Sequence, residues 1–134
     1  MIPIGTALQT TGLSDVISSN ISLLAADMSL FWLLFLILII TMATTDIINN
    51  AATAVIMAPI SAGIGLELGY AIEPFLMVVA VGASCAFLTP IGHQCNTVVM
   101  GPGNYKFTDY WRLGLPLDIL IIAVSIPMIL FVWT

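Results

Sequence analysis

Cationic side chains are almost absent from this sequence: Lys106 and Arg112 are its only lysine and arginine, against seven Asp and Glu residues. Nucleic-acid binding needs clustered cations to neutralise phosphates, so this scarcity excludes a nucleic-acid partner. The two cysteines, Cys85 and Cys95, have no CxxC spacing and no nearby set of His or Cys ligands, which argues against a disulfide or a zinc site. No basic region precedes the first apolar residues, so we do not expect a signal peptide at the N-terminus.

Apolar residues, in contrast, make up 60% of the sequence, and charged residues only 7%. This balance is typical of a membrane protein and not of a soluble domain of 134 residues. A transmembrane helix needs about 20 mostly apolar residues, which leaves room for about three crossings and some shorter elements. We therefore predict an all-α integral membrane protein with about three full transmembrane helices, a re-entrant hairpin and a broken helix.

Three apolar runs are the candidates for these crossings. The clearest transmembrane helix is predicted at residues 28–44, which are apolar on every face. A broken transmembrane helix is predicted at residues 74–100, where Pro90 interrupts the apolar run and small residues around Gly82 would let a neighbouring helix approach closely. The last transmembrane helix is predicted at residues 113–133, ending in aromatic residues that suit a membrane interface.

Two stretches fit a full crossing less well. Residues 1–25 are predicted to be the end of an earlier helix followed by an interfacial segment. Residues 46–70 contain an apolar run of about a dozen residues, which is too short to cross, and predict a re-entrant hairpin. The two cations lie in the connector before the last span, so the positive-inside rule places that connector in the cytoplasm and the C-terminus outside.

A polar cluster that includes Thr45, Asp46, Asn49 and Asn50 follows the first predicted span. Amide and hydroxyl groups at membrane depth are costly unless they meet partners or line a wet cavity. Their oxygens can coordinate a hard cation, and backbone N–H groups freed at a broken helix can bind an anion. The cluster indicates either such a site or a plain helix cap at the membrane surface, formed by Thr44, Thr45 and Asp46.

A second polar cluster, residues 87–97, lies inside what would otherwise be one long span. Pro90 removes a backbone donor and Gly92 loosens the turn, so the carbonyls of residues 86–88 should lose their helical partners. Interrupted helices of this kind are typical of transporter binding sites, whereas a lone cluster would fit an ordinary proline kink equally well. Two discontinuous polar elements about one crossing apart favour a binding site.

The other polar groups are isolated. His93 is predicted to be a hydrogen-bonded or interfacial histidine rather than a proton relay. Asp118 is predicted to be a boundary carboxylate near the lipid headgroups, with a proton path as the alternative. The sequence offers no paired carboxylates, no nucleophile beside a base and no phosphate-binding glycine loop, so an enzyme is the least favoured class.

Two motifs, in this order, resemble the divalent-anion/sodium symporter family, whose members carry sulfate or di- and tricarboxylates. The string NNAATAVIMAPI at residues 49–60 resembles the Ser-Asn-Thr signature segment of that family. Residues 87–96, 101–110 and 112–116 are similar to the closing segment of its prokaryotic permeases, and residues 5–13 to the end of an earlier helix. The resemblance covers nearly the whole chain, and the order of the motifs is more specific than any one of them.

The resemblance implies a site made from both polar clusters. It places the anion at the signature tripeptide and the helix break: Asn49, Asn50, Ala51, Thr89 and Pro90. It places sodium at the Thr45 and Asn50 side chains and the backbones of Ile48 and Leu88. Asn49 stands where family members usually have serine and Ala51 where they have threonine, so two hydroxyl groups of the family pattern are missing.

The resemblance also implies what surrounds the site. The chain would hold most of one inverted repeat, the second of two, and would work with the missing N-terminal repeat in a homodimer of the cell inner membrane. Its function would be secondary active, sodium-coupled uptake of a divalent anion such as sulfate or a dicarboxylate by an elevator-type mechanism. Its partners would be the anion, sodium and the lipid bilayer, with no cofactor besides the coupling ion.

Two other functions remain open from the sequence. A small membrane scaffold or interaction protein would use its polar breaks for helix packing alone. A citrate- or arsenite-type permease of the wider ion-transporter superfamily would share the architecture without a sodium shell. Saturable, sodium-dependent anion binding distinguishes the symporter from both.

Overall fold

The described part of the chain is helical. A computed structural model describes residues 6–7, 10–25 and 27–133 and places no strand among them. After residue 12 the helices are α1 Leu13–Ala25, α2 Leu30–Thr45, α3 Asn50–Glu67, α4 Glu73–Ser84, α5 Gln94–Met100 and α6 Phe107–Trp133. The all-α class predicted from the sequence is confirmed. The helix end predicted near the N-terminus lies partly outside the described residues.

Helices α2 and α3 form a helical hairpin around the turn at residues 46–49. So short a connection joins helices that run antiparallel to each other. Asn49 ends the turn, because its side chain accepts a 2.8 Å hydrogen bond from the Ala52 N–H and so caps α3. Apolar side chains of both helices and of α1 line one small cavity.

This hairpin differs from the one predicted at residues 46–70. Residues 50–67 form one continuous helix despite Pro59, and the turn comes before that helix. Its first arm, α2, is the segment predicted to be a full crossing at residues 28–44. At 1.5 Å per residue its 16 residues extend for about 24 Å, which is less than the roughly 30 Å of a hydrocarbon core.

A glycine in the left-handed conformation ends α3. Gly69 has φ of +74°, the Tyr70 N–H donates to the Gly65 carbonyl at 2.8 Å, and the Gly69 N–H donates to the Leu66 carbonyl at 3.1 Å. This pair of bonds is the Schellman motif, in which a residue with a Cβ would be strained at the glycine position. The chain then turns back, and Pro74 lies in the first turn of α4, where a missing N–H costs no helical bond.

Helix α4 packs against both arms of the hairpin at the centre of the core. A Cβ added at Gly82 would lie 2.9 Å from the Thr41 Cβ of α2, and one added at Gly65 of α3 would lie 3.0 Å from the Phe75 ring. The close approach predicted around Gly82 is therefore confirmed. The fully buried apolar side chains of this core include Leu33, Leu34, Leu38, Ile64, Phe75, Val78 and Val79.

Helices α4 and α5 are separated by a non-helical break at residues 85–93, and α6 packs on it. A Cβ at Gly114 of α6 would lie 2.5 Å from the Phe87 carbonyl oxygen, so this contact needs a glycine. The break begins at Cys85, five residues before the Pro90 that predicted it. The interruption inside the predicted 74–100 segment is thus longer than a proline kink.

One helix among the described residues, α6, is long and apolar enough to cross a membrane. It begins at Phe107, earlier than the predicted residue 113. Helices α2 and α4 are apolar but shorter. The described part of the chain therefore has one full-length candidate span where about three were expected.

Candidate functional site

The hairpin turn brings Thr45 and Asn50 together. Thr45 is the last residue of α2 and is fully buried, and Asn50 is the first residue of α3. The Thr45 hydroxyl oxygen lies 2.9 Å from Asn50 Oδ1 and 3.0 Å from the carbonyl oxygen of Ala83, in the last turn of α4. Oxygens from three helices therefore meet at one point.

The oxygens at this point can accept more hydrogen bonds than the Thr45 hydroxyl can donate. The Thr45 hydroxyl has a single proton, so it can donate fully to Asn50 Oδ1 or to the Ala83 carbonyl, but not to both. The hydroxyl of Thr53, one turn after Asn50, is fully buried and has no hydrogen-bond partner among the described residues. The C-terminus of α4, which is the negative end of its helix dipole, also lies here. Hard cations such as sodium bind to oxygens in this kind of environment.

Asp46 joins the hairpin turn to the break. Its backbone carbonyl accepts a 2.7 Å hydrogen bond from the Thr89 hydroxyl, and its Oδ1 accepts a 3.2 Å bond from the Leu88 N–H. The Thr89 hydroxyl oxygen in turn accepts a hydrogen bond from the Gly92 N–H at 3.2 Å. The two polar clusters that are about 40 residues apart in the sequence are thus in direct contact.

Gly92 allows this contact. A Cβ at this position would lie 2.8 Å from the Ala86 Cβ, 2.9 Å from the Thr45 carbonyl oxygen and 3.2 Å from the Asp46 Cα. These distances are shorter than normal van der Waals contact, so a larger residue would push the break away from the turn. Gly92 is needed here for its small size, whereas from the sequence it was expected only to loosen the chain.

Side chains of α5 satisfy carbonyls that the break leaves free. Asn96 Nδ2 donates to the carbonyl of Ala86 at 2.9 Å and to that of Thr89 at 3.3 Å. The Thr97 hydroxyl donates to the Pro90 carbonyl at 2.6 Å. The Tyr110 hydroxyl donates to the Asn96 carbonyl at 2.7 Å and connects α5 to α6. The break therefore has its own hydrogen-bond network instead of a helical one.

The residues predicted to bind ligands fall into two groups. Four of them lie around one junction of turn and break: Thr45 bonds to Asn50, and Leu88 and Thr89 bond to Asp46, the residue after Thr45. Ile48 is half-buried in the same turn, and Pro90 is buried in the break. The side chains of Asn49 and Ala51 are exposed, and the Asn49 oxygen already caps α3.

Sequence reasoning missed several groups of this junction. Asp46 was placed in the first polar cluster, as part of either a site or a surface cap, but its side chain was given no ligand role; it is 5% exposed and contacts the break. Asn96 and Thr53 were not singled out as functional residues. The spacing of Thr53 gave a signal, because it follows Asn50 by three residues and residues three apart lie on the same face of a helix. No local pattern shows that Asp46 and Asn96 reach across to residues of another segment.

Two isolated polar residues were given roles from the sequence. His93 is exposed, and its Nδ1 accepts a bond from the Cys95 N–H at 3.2 Å, which confirms the hydrogen-bonded histidine. The boundary position predicted for Asp118 is wrong: the side chain is 7% exposed in the interior of α6. The helix begins six residues earlier than predicted, and Asp118 lies one turn after Gly114, on the side that faces the break.

Comparison with known proteins gives a consistent result. The family model described as "Sodium:sulfate symporter transmembrane region" matches residues 1–134. The chain is 38% identical over 129 residues to the uncharacterized transporter YfbS of Escherichia coli, a match that covers 96% of this chain and 21% of YfbS.

Two more distant relatives have names that state a substrate. The sodium/sulfate cotransporter 2 of Chlamydomonas reinhardtii is 32% identical over 92 residues, which are 69% of this chain and 10% of that protein. The sodium-dependent high-affinity dicarboxylate transporter 3 of Caenorhabditis elegans is 29% identical over 119 residues, 87% of this chain and 21% of that protein. The chain spans about a fifth of the length of YfbS and of the nematode transporter.

Proposed function

Because the chain belongs to the sodium:sulfate symporter transmembrane-region family, we propose that it forms part of a sodium-coupled transporter for a divalent anion. The observation that supports this most is the junction of turn and break, where the Thr45 hydroxyl lies within 3.0 Å of both Asn50 Oδ1 and the Ala83 carbonyl. The names of the relatives that carry sulfate and dicarboxylates support these two anion classes.

Sodium binds at this junction in the proposed mechanism. The side chains of Thr45 and Asn50 and the backbone carbonyls of Ile48 and Leu88 provide its oxygen ligands. The cation accepts lone pairs that the single Thr45 proton leaves unsatisfied, so its binding relieves the shortage of donors at the junction. Since sodium is hard and carries one charge, neutral oxygens of this kind are sufficient ligands.

The anion binds beside the sodium, at Asn49, Asn50, Ala51, Thr89 and Pro90. The first turn of α3 presents backbone N–H groups and the positive end of its helix dipole there. The bound cation offsets part of the charge of a dianion, so each ligand stabilises the other. Since Asn49 and Ala51 replace the usual serine and threonine, anion binding depends more on the Asn50 amide and on backbone donors than in other family members.

The chain does this as part of a longer architecture. It supplies most of one inverted repeat, and the complete site includes the other repeat, in a homodimeric, multi-pass protein of the inner cell membrane. The helices that bear the site move across the membrane relative to a fixed scaffold. The small interlocked contacts at Gly82, Gly92 and Gly114 support movement of the hairpin and the break as one rigid unit.

The test is binding of labelled sulfate and succinate to the full-length protein in lipid nanodiscs, with sodium or choline as the cation. We expect saturable binding that needs sodium. Because a hydrogen bond to a charged group contributes about 1.5–3 kcal/mol, Asn50→Ala should weaken binding by about 10- to 100-fold. Thr45→Val should raise the sodium concentration for half-maximal binding by a similar factor.

Thr44→Val is the matched control for this test, because the Thr44 hydroxyl donates to the Ile40 carbonyl of its own helix and not to the junction. It should leave both ligands unaffected. Equal binding in sodium and choline would instead indicate a permease that does not use sodium. If the folded protein binds neither anion, the transport proposal is wrong and the scaffold function remains.

A further inference from the structure

A cavity of about 240 Å³ lies where the break, α5 and the start of α6 meet. Its α6 wall is one face of that helix, whose residues recur at three- and four-residue spacing: Asp109, Tyr110, Leu113, Gly114 and Leu117. Leu113 is 80% exposed, so the cavity opens to the surroundings of α6. The volume is below the roughly 300–1,000 Å³ of a site that encloses a small molecule, so it suits part of a longer molecule that lies mostly outside.

The cavity is at the end of α6 that meets the membrane surface. The 27 residues of α6 extend for about 40 Å, against roughly 30 Å for a hydrocarbon core, so the helix reaches into the headgroup region. Asp109, Arg112 and the exposed Trp111 are all in its first two turns, which identifies this end as the interface. From Asp109 the cavity wall continues to Leu117, about 12 Å further along the helix and into the apolar span.

The headgroup end of the cavity has two aromatic rings and a carboxylate. The ring centroids of Tyr105 and Tyr110 are 6.3 Å apart, with the rings at 65° to each other. Asp109 Oδ2 accepts a 2.8 Å hydrogen bond from the Lys106 N–H, which leaves Oδ1 for another donor. Aromatic faces attract ammonium groups, and a carboxylate beside them adds a charged acceptor.

The rest of the surroundings suits the other parts of a phospholipid. Lys106 and Arg112 are exposed near the same end, where their charges can meet a phosphate. At the other end the wall is apolar, with Val99 of α5 and Leu113 and Leu117 of α6, and suits an acyl chain. A zwitterionic headgroup matches two cations beside a carboxylate better than an anionic headgroup does.

We propose that this cavity binds a phosphatidylethanolamine molecule of the adjacent leaflet. Its ammonium group donates to Asp109 Oδ1 against the rings of Tyr105 and Tyr110, and the start of one acyl chain lies along Leu113 and Leu117. A primary ammonium has three protons to donate, whereas the quaternary ammonium of choline has none, so the carboxylate selects ethanolamine. The site goes beyond the proposed transport function, because it needs neither sodium nor a transported anion.

The bound lipid also stabilises the break. Phe87 of the break and Asn96 of α5 line the same cavity as the α6 face. Asn96 donates to two carbonyls of the break, so a molecule packed against it holds those bonds in place. A ligand that binds only the folded state raises the melting temperature, and phosphatidylethanolamine should do so here.

The test is binding of radiolabelled phosphatidylethanolamine to the delipidated full-length protein in a nonionic detergent with potassium chloride, and of phosphatidylglycerol in parallel. We expect saturable binding of one phosphatidylethanolamine per chain and a rise in melting temperature. Asp109→Asn keeps the acceptor for the Lys106 N–H but loses the charge, so it should weaken binding by about tenfold or more. Tyr105→Leu should also weaken binding, whereas Tyr105→Phe keeps the ring and should bind as the parent does.

Asp15→Asn is the matched control, because Asp15 is an exposed carboxylate in the first turn of α1, as Asp109 is in the first turn of α6. It should leave lipid binding unchanged, and so should Asn50→Ala, which separates this site from the proposed transport site. If phosphatidylglycerol binds as tightly as phosphatidylethanolamine and Asp109→Asn changes neither, the cations alone attract lipid and the proposal is overturned. It is equally overturned if the parent binds no phosphatidylethanolamine, because the rest of the full-length chain then covers the cavity.

Discussion

Around the hairpin turn, oxygen atoms outnumber the protons available to them. The Thr45 hydroxyl faces two acceptors, the Thr53 hydroxyl has no partner among the described residues, and Asp46 has one unsatisfied carboxylate oxygen. Proteins satisfy nearly all their buried polar atoms, so these oxygens are available for contact with a ligand. A cation satisfies several oxygens at once, which a water molecule with two protons to donate does less well.

The contact at Gly92 gives a prediction about a single side chain. Gly92→Ala introduces a Cβ within 2.8 Å of Ala86 and 2.9 Å of the Thr45 carbonyl, so the turn and the break must move apart. Overpacking of this kind costs about 1–3 kcal/mol, and we expect a lower melting temperature together with weaker sodium binding. The measurement is thermal unfolding with and without sodium.

Gly101→Ala is the control for that substitution, since a Cβ at Gly101 meets nothing within 4 Å. Its backbone is in the right-handed helical region, so alanine fits there and should be neutral or slightly stabilising. Equal losses of stability in the two variants would mean that the turn and the break are not in close contact.

At the level of helices, the interrupted helix α4–α5 depends on side chains that replace its lost backbone bonds. Asn96 donates to two carbonyls of the break, and Tyr110 of α6 holds the Asn96 carbonyl in turn. Interrupted helices inside a membrane persist only where such partners satisfy the backbone. The break is thus a fixed element of the structure, suited to holding a ligand in one geometry.

Asn96→Ala tests this role. It leaves the carbonyls of Ala86 and Thr89 without their donor, and each unsatisfied buried carbonyl costs about 1–3 kcal/mol. We expect a clear fall in melting temperature and faster hydrogen exchange of amides in residues 85–93. Gln94→Ala removes an exposed amide from the same short helix and should change neither. Unchanged exchange in Asn96→Ala would show that the break is held by other contacts.

The sequence predicted the interruption of α4–α5 correctly but not its start or the hairpin, for physical reasons. Pro90 correctly indicates an interruption, because proline lacks the amide and disfavours helix before it. No local signal marks its start at Cys85, since tertiary bonds to the carbonyls of Ala83 and Ala86 hold that end of the helix. Asn49 and Asn50 were singled out, but the apolar run before them does not show that α2 is an arm of the hairpin.

The candidate site was predictable in part. The polar clusters at two interruptions contain Thr45, Asn50, Leu88 and Thr89, and the resemblance to the symporter family selects these four. In the structure Thr45 bonds to Asn50, and Leu88 and Thr89 both bond to Asp46, the residue after Thr45. The position of Asp118 was predicted wrongly because its neighbours in the sequence are apolar at every position of the helical turn. No periodicity therefore shows which face of the helix is buried. Its position depends on the packing of Gly114 against the break.

In the proposed mechanism, coupling requires that sodium and the anion stabilise each other at this junction. Thermodynamic linkage requires that sodium changes anion affinity by the same factor as the anion changes sodium affinity. A sodium ion and an anion bound too far apart to interact would occupy two independent sites. A shared site in which a cation offsets the charge of a dianion gives strong, reciprocal coupling.

The most direct measurement is therefore a pair of titrations on the full-length protein in nanodiscs: sodium affinity with and without sulfate or succinate, and anion affinity with and without sodium. We predict that both affinities rise by the same factor, of about tenfold or more, and that Asn50→Ala abolishes the increase in each. Anion binding that is indifferent to sodium, in a protein that binds both ligands, would contradict a joint site at the turn and the break.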